Sequence, residues 1–169
     1  MSTPIPSLDV IVDFLAQERI AMVGVSRNPK DFSASLFHEL CRRGYDVVPV
    51  NPNASEVHGK PCFTHVQDIQ PKVDAVLLMT TPAVTDVVVS DCVAAGASIV
   101  WMYRAVGKGA VSEKAIAFCQ EHGIRVIAGE CPFMFLDGGD AIHRLHGLFR
   151  KITGRYPKRS HVVQRIASA

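Results

Sequence analysis

Nothing in the chain approaches the roughly 18 consecutive apolar residues of a membrane-spanning helix. The first residues, Met1-Ser-Thr-Pro-Ile-Pro, lack the charged and apolar regions of a secretory leader, so a cytoplasmic protein without a membrane is expected. The cysteines, at 41, 62, 92, 119 and 131, are odd in number and show neither CxxC nor other metal-ligand spacing. A disulfide framework and a zinc site are therefore not expected, and reduced thiols acting as small core residues are. No acidic residue follows Asp140, whereas Arg144, Arg150, Lys151, Arg155, Lys158, Arg159 and Arg165 do. Residues 1–140 hold 11 basic against 16 acidic side chains, or −5, and residues 141–169 carry +7. Such an end suits an anionic partner or an acidic surface of the same protein.

What is present is enough for one globular domain: 169 residues, 48% hydrophobic and 20% charged. We expect the domain over residues 1–153 and a basic tail over 154–169. Helical and strand periods alternate along the chain. Ser7 caps a first helix with Leu8, Ile11, Val12 and Leu15 on its inner face, and 20–25 reads as a buried strand. Residues 33–43 read as a helix with Leu36, Phe37 and Leu40 inward, ended by Gly44. A second strand over 46–50 stops at Asn51-Pro52-Asn53. The stretch 55–70, with Gly59 and Pro61, reads as an irregular connector with at most one helical turn. Strands over 74–79, 98–102 and 124–128 enclose two helices, one starting at Thr81-Pro82 with a capping hydroxyl and ending at Gly96, the other capped by Ser112 and ending before Gly123. Asp140 caps an expected last helix.

This pattern predicts an α/β fold: a doubly wound, Rossmann-like, parallel five-stranded sheet, order 3-2-1-4-5, with helices on both faces. Ligands of such sheets bind beyond the carboxyl ends of the strands, here at a switch point between strands one and four. The loops to read are 24–33, 51–53, 80–83, 103–109 and 129–133.

The first loop, Gly24-Val-Ser-Arg-Asn-Pro-Lys-Asp-Phe-Ser, lacks the second and third glycines of GxGxxG, which disfavours ordinary dinucleotide binding. It keeps one glycine, the hydroxyls of Ser26, Ser33 and Ser35, and the cations Arg27 and Lys30. These suit a phosphate at a helix start, against the alternative of a plain polar loop. Asn51 stands where a carboxylate would hold a dinucleotide ribose. Pro49 and Pro52 stiffen that exit, as a rigid turn or as a platform for adenosine. Thr80, Thr81 and Pro82 bring a second helix start to the same edge, to meet a phosphate or only to cap the helix.

The runs IAMVGVSRNP, GYDVVPVNPNASEVHGKPCFTHVQDI, VDAVLLMTTPA, GASIVWM and GIRVIAGECP resemble the small stand-alone CoA-binding proteins. They also resemble the N-terminal domain of the succinyl-CoA synthetase alpha subunit, and the likeness spans about residues 18–135. It implies the same nucleotide-binding sheet with coenzyme A or an acyl-CoA as ligand. By position it implies that Gly24, Val25 and Ser26 run along the CoA phosphates and that Lys30 supplies charge. Val50, Asn51 and Pro52 would flank adenosine, and Thr80, Thr81 and Pro82 would border nucleotide and pantetheine. The chain departs from the pattern at Trp101-Met-Tyr103-Arg104-Ala and at Pro132-Phe-Met-Phe-Leu after Cys131. Both departures fall at the pantetheine end.

Catalytic residues are not expected. The synthetases carry their phosphorylated histidine in a further domain, and Ser26 lacks the GxSxG surround of a nucleophile elbow. His143 and His146 form a metal-like i, i+3 pair without a third ligand. Cys131 is placed to meet the CoA thiol in a mixed disulfide, or to be a small residue at a strand end, with Arg104 as the cation to approach it. The leading expectation is a non-catalytic CoA or acyl-CoA binder acting as sensor, carrier or accessory protein, with a protein partner or a second copy. The alternatives are an NAD(P)-dependent oxidoreductase, and a binder of nucleic acid or another anionic surface through 143–165. Phe133 to Leu136 would form a dimer contact or plug the sheet.

Overall fold

The computed structural model describes residues 7–104, 107 and 109–136. The expected helix from Asp140, the His143–His146 pair and the basic tail lie outside the described residues. The main elements are α1 (Leu8–Leu15), β1 (Arg19–Val23), α2 (Phe32–Arg42), β2 (Asp46–Val50), β3 (Ala75–Leu78), α3 (Pro82–Ala95), β4 (Ile99–Met102), α4 (Glu113–Glu121) and β5 (Arg125–Ala128). Between β2 and β3 the chain forms a small antiparallel hairpin, Glu56–Val57 against Lys60–Pro61, and a 3-10 turn at Val66–Asp68.

The five main strands are parallel, as expected, but their order is β2-β1-β3-β4-β5, not 3-2-1-4-5. The third strand pairs with β1, and β2 is left at the edge. Pro49 supplies the physical reason. Its carbonyl faces outward and accepts from the Phe63 amide at 3.1 Å, so the N–H that proline lacks would have faced outward too. A further strand on that side would have lost a ladder bond, so proline is tolerated only at an edge. The connector closes this edge instead: Asn51 N–H donates to Phe63 O at 2.9 Å. The switch point consequently moves from between strands one and four to between β1 and β3.

The strands are short and covered on both faces, and the central strands β3 and β4 are apolar and buried at every residue. Alternate side chains feed two cores. Val23, Val50, Val76, Leu78 and Val100 meet Val89, Cys92, Ile116 and Cys119 of α3 and α4. Ile20, Met22, Val47, Leu77 and Trp101 meet Ile11 and Phe14 of α1 and Leu36, Phe37 and Leu40 of α2. The inner face of α1 differs from expectation: Phe14 is buried and Val12 is 54% exposed. Ser7 and Ser112 do cap α1 and α4, accepting from the amides of Asp9 and Ala115. Gly96 ends α3 in the left-handed conformation at φ 79°. Thr81 occupies the N-cap of α3 but makes no capping bond, contrary to expectation. The neighbouring threonine hydroxyl is also directed elsewhere, Thr80 Oγ1 lying 2.7 Å from that of buried Thr85.

The Phe133 to Leu136 run packs against the sheet. Leu136 is buried, Phe133 and Phe135 lie against the core of α1 and α2, and Phe135 meets Trp101 at 6.0 Å between ring centres. Trp101 Nε1–H donates to Glu130 O at 2.9 Å, tying the segment after β5 back to the middle of the sheet.

Candidate functional site

The carboxyl edge gathers most of the predicted residues around the β1–β3 crevice. Gly24 leaves β1 at φ +85°, and a Cβ there would lie 2.9 Å from Met79 O and 3.2 Å from Thr80 Cγ2. Only glycine lets these two backbones meet. Gly24 N–H also donates to Val50 O at 3.2 Å, so the exits of β2, β1 and β3 stand side by side. Gly24, Val25, Val50 and Thr80 are thus brought together, with Asn51, Pro52, Thr81 and Pro82 on the flanks. Asn51 folds its own turn, its Oδ1 accepting from the Asn53 amide at 2.9 Å.

The loop from Ser26 to Asp31 is held by its own side chains. Ser26 N–H donates to Ser33 Oγ at 3.0 Å, and Ser26 Oγ donates to Asp31 Oδ2 at 2.6 Å. Asn28 Nδ2 donates to Asp31 Oδ1 at 3.0 Å, while Asn28 Oδ1 accepts from the Lys30 amide at 3.1 Å. The hydroxyls of Ser26 and Ser33 are therefore engaged within the loop. Asp31, at the N-cap of α2, makes no capping bond. Arg27 and Lys30 are exposed. The amide starts of α2 and α3 both open on this edge without a side-chain cap, an arrangement that favours an anion.

Cys131 lies at the other end of the edge. It follows β5, three strand spacings from β1, or roughly 14 Å. Its thiol is pushed up by burial, against the amides of Phe133 and Met134, which favour the thiolate, and with the Glu130 charge adding to the rise. The Arg104 guanidinium lies over Gly129, its Nη2 2.8 Å from where a Cβ would sit. Tyr103 is raised to about 12 by burial and by the nearby Cys131.

Sequence reasoning missed three residues here. Phe32 stacks on Tyr103 with ring centres 5.0 Å apart and planes 15° apart, and meets Phe133 edge-on at 5.5 Å. Rings from both ends of the edge are joined in this way, and Phe32 remains 37% exposed. Thr85 is the buried partner of Thr80. His58 reaches from the hairpin to the first loop, its Nε2 2.8 Å from Ser26 O. The available signal for His58 was the His-Gly pair, a two-residue turn between the short segments Glu56–Val57 and Lys60–Pro61. Among the described residues no group of three or more metal-ligating side chains occurs. A surface cavity of about 380 Å³ lined by Leu15, Arg43, Tyr45, Phe135 and Leu136 holds none of the predicted residues.

Comparison with known proteins agrees with this architecture. The chain is 28% identical over 127 residues to the uncharacterized protein YneT of Bacillus subtilis, covering 75% of this chain and 91% of that one. It is 22% identical over 116 residues to the ADP-forming acetate–CoA ligase of Methanocaldococcus jannaschii, covering 66% of this chain and 16% of the ligase. A solved structure, a hypothetical protein from Pyrococcus horikoshii OT3, superposes with a TM-score of 0.69 at 29% identity, covering 78% of this chain and 94% of that one. The family described as CoA binding domain matches residues 18–137, and the chain belongs to that family.

Proposed function

We propose that this protein binds coenzyme A or an acyl-CoA at the carboxyl edge of its sheet and performs no chemistry on it, acting as a sensor, carrier or accessory protein. The observation that carries the reading is the contact of Gly24 with Met79, within a domain of the CoA-binding family. That contact sets two helix starts beside one crevice, and the diphosphate of CoA is an anion of the size and charge such a place favours. Gly24, Val25 and Ser26 would follow the phosphates with Arg27 and Lys30 as exposed counter-charges, and Ser33 would brace the loop through the Ser26 amide. Val50, Asn51 and Pro52 would flank adenosine, while Thr80, Thr81 and Pro82 border the start of pantetheine. The thiol end would then run toward Tyr103 and Cys131. A thiol held protonated by burial is a poor nucleophile, which supports binding over mixed-disulfide chemistry at Cys131.

Isothermal titration of the reduced protein with CoA, dephospho-CoA, NAD and NADP tests this. Heat with CoA that weakens without the 3′-phosphate is the expected result. Binding of NADP with no response to CoA would overturn it and favour a hydride-transfer role. Loss of all ligand binding on removal of residues 143–169 would instead assign the anion site to the basic segment, with the steep salt dependence of such contacts.

A further inference from the structure

His58 is the one non-glycine residue with positive φ among the described residues, at 51°, and it is followed by Gly59 at 78°. The pair forms the two central positions of the hairpin turn, where asparagine–glycine is the favoured combination. A histidine in the left-handed region is uncommon, and such outliers concentrate where function uses them. Here the ring crosses to the loop after β1. It lies beside Phe37 and His38 of α2, with ring centres 5.7 and 4.5 Å away, and its Nε2 is 2.8 Å from Ser26 O. A carbonyl only accepts, so Nε2 carries the proton and donates. Val57, buried at 1% exposure, anchors the hairpin beneath.

This bond has a geometric consequence. In a planar trans peptide the carbonyl oxygen and the following N–H point in opposite directions. Holding Ser26 O toward the hairpin turns the Arg27 N–H away from the hairpin. Ser26 N–H is already given to Ser33 Oγ, so Arg27 N–H is the next backbone donor the loop offers.

We propose that His58 is a positioning residue that fixes the Ser26–Arg27 peptide so that the Arg27 amide donates to a phosphate in the crevice. The proposal rests on the CoA reading above and names the residue that orients its phosphate loop. Two variants separate this role from simple packing. Asparagine at 58 keeps the left-handed turn but places its amide nitrogen where Nδ1 stood, short of Ser26. Glutamine restores a donor near the position of Nε2.

The test is titration of the full chain with CoA for the wild type, H58N and H58Q, together with amide NMR of the ligand-free proteins. H58N should bind about tenfold more weakly, the equivalent of one well-made hydrogen bond, and H58Q should recover most of that loss. The Arg27 amide resonance should shift in H58N and return in H58Q. H58N binding as tightly as the wild type, or H58Q as weakly as H58N, would overturn the proposal. If the wild type does not bind CoA, the CoA reading fails. The role of His58 in setting the peptide is then decided by the Arg27 resonance alone, and an unchanged resonance in H58N rejects it.

Discussion

Gly24 stands against the carbonyl of Met79, with only 2.9 Å between that oxygen and the place a Cβ would occupy. The approach joins the first strand exit to the third and makes the crevice. Replacing Gly24 with alanine adds both the collision and a left-handed non-glycine residue, costing about 1–3 kcal/mol. A drop of roughly 3–10 °C in the unfolding midpoint is expected, together with loss of CoA affinity. A G24A protein with an unchanged melting curve would show that the two loops part without cost.

Lys30 carries charge without supporting the fold. It is exposed, and its amide, not its ammonium, makes the hydrogen bond to Asn28. Lys30→Ala should weaken CoA binding by about three- to tenfold at low ionic strength, with the difference shrinking as salt screens the pair. The unfolding midpoint should not move. Titrations of both proteins at two salt concentrations decide it, and equal affinities at low salt would remove Lys30 from the site.

Trp101 is wholly buried, and its indole N–H meets the backbone carbonyl of Glu130. Trp101→Phe removes that hydrogen bond and leaves a gap between Phe14 and Phe135, at a cost of about 1–3 kcal/mol or more. Urea unfolding followed by circular dichroism should show a lower midpoint at the same slope. An unchanged midpoint would mean that the segment after β5 is held by other contacts.

Alkali should destabilise the protein through its buried thiols. Burial raises Cys119 to about 11, and Cys92 is raised further by burial and by its neighbours Cys119 and Asp91. An unfolded thiol ionises near about 8.5. Above that value the unfolded chain gives up protons that the folded one retains, so stability falls as pH rises. The contribution of Cys119 is intact below about pH 8.5 and has been lost by about pH 11. Urea midpoints measured across this range should fall, and Cys119→Ala should flatten part of the slope. A midpoint that rises with pH would contradict the buried, protonated state of both thiols.

Much of the local structure was legible because it rests on nearby atoms. Ser7 and Ser112 accept from amides two and three residues on, and Gly96 needs only its own φ, so each could be placed from its neighbours in sequence. The face of α1 was not legible, because six of its eight residues are apolar and periodicity cannot choose among them. Contact with Trp101 selected Phe14, with ring centres 5.1 Å apart. The strand order departs from the expected one although Pro49 holds the clue, since a proline that tolerates no outer neighbour marks an edge strand.

The site divides in the same way. Gly24, Asn51 and Thr80 could be named from the sequence, because strand exits followed by helix starts identify the ligand edge of an α/β sheet whichever way its strands are ordered. Which exits adjoin was decided by long-range pairing: β3 beside β1 brings Thr80 to Gly24, and no local pattern encodes that pairing. The same holds for Phe32 on Tyr103 and for His58 on Ser26, contacts across 71 and 32 residues of chain. The sequence by itself determined the elements and the family, because alternating periods, caps and short motifs are read from near neighbours. Only the tertiary structure decided how the crevice is assembled, because the packing of two cores against one sheet chooses which distant residues touch.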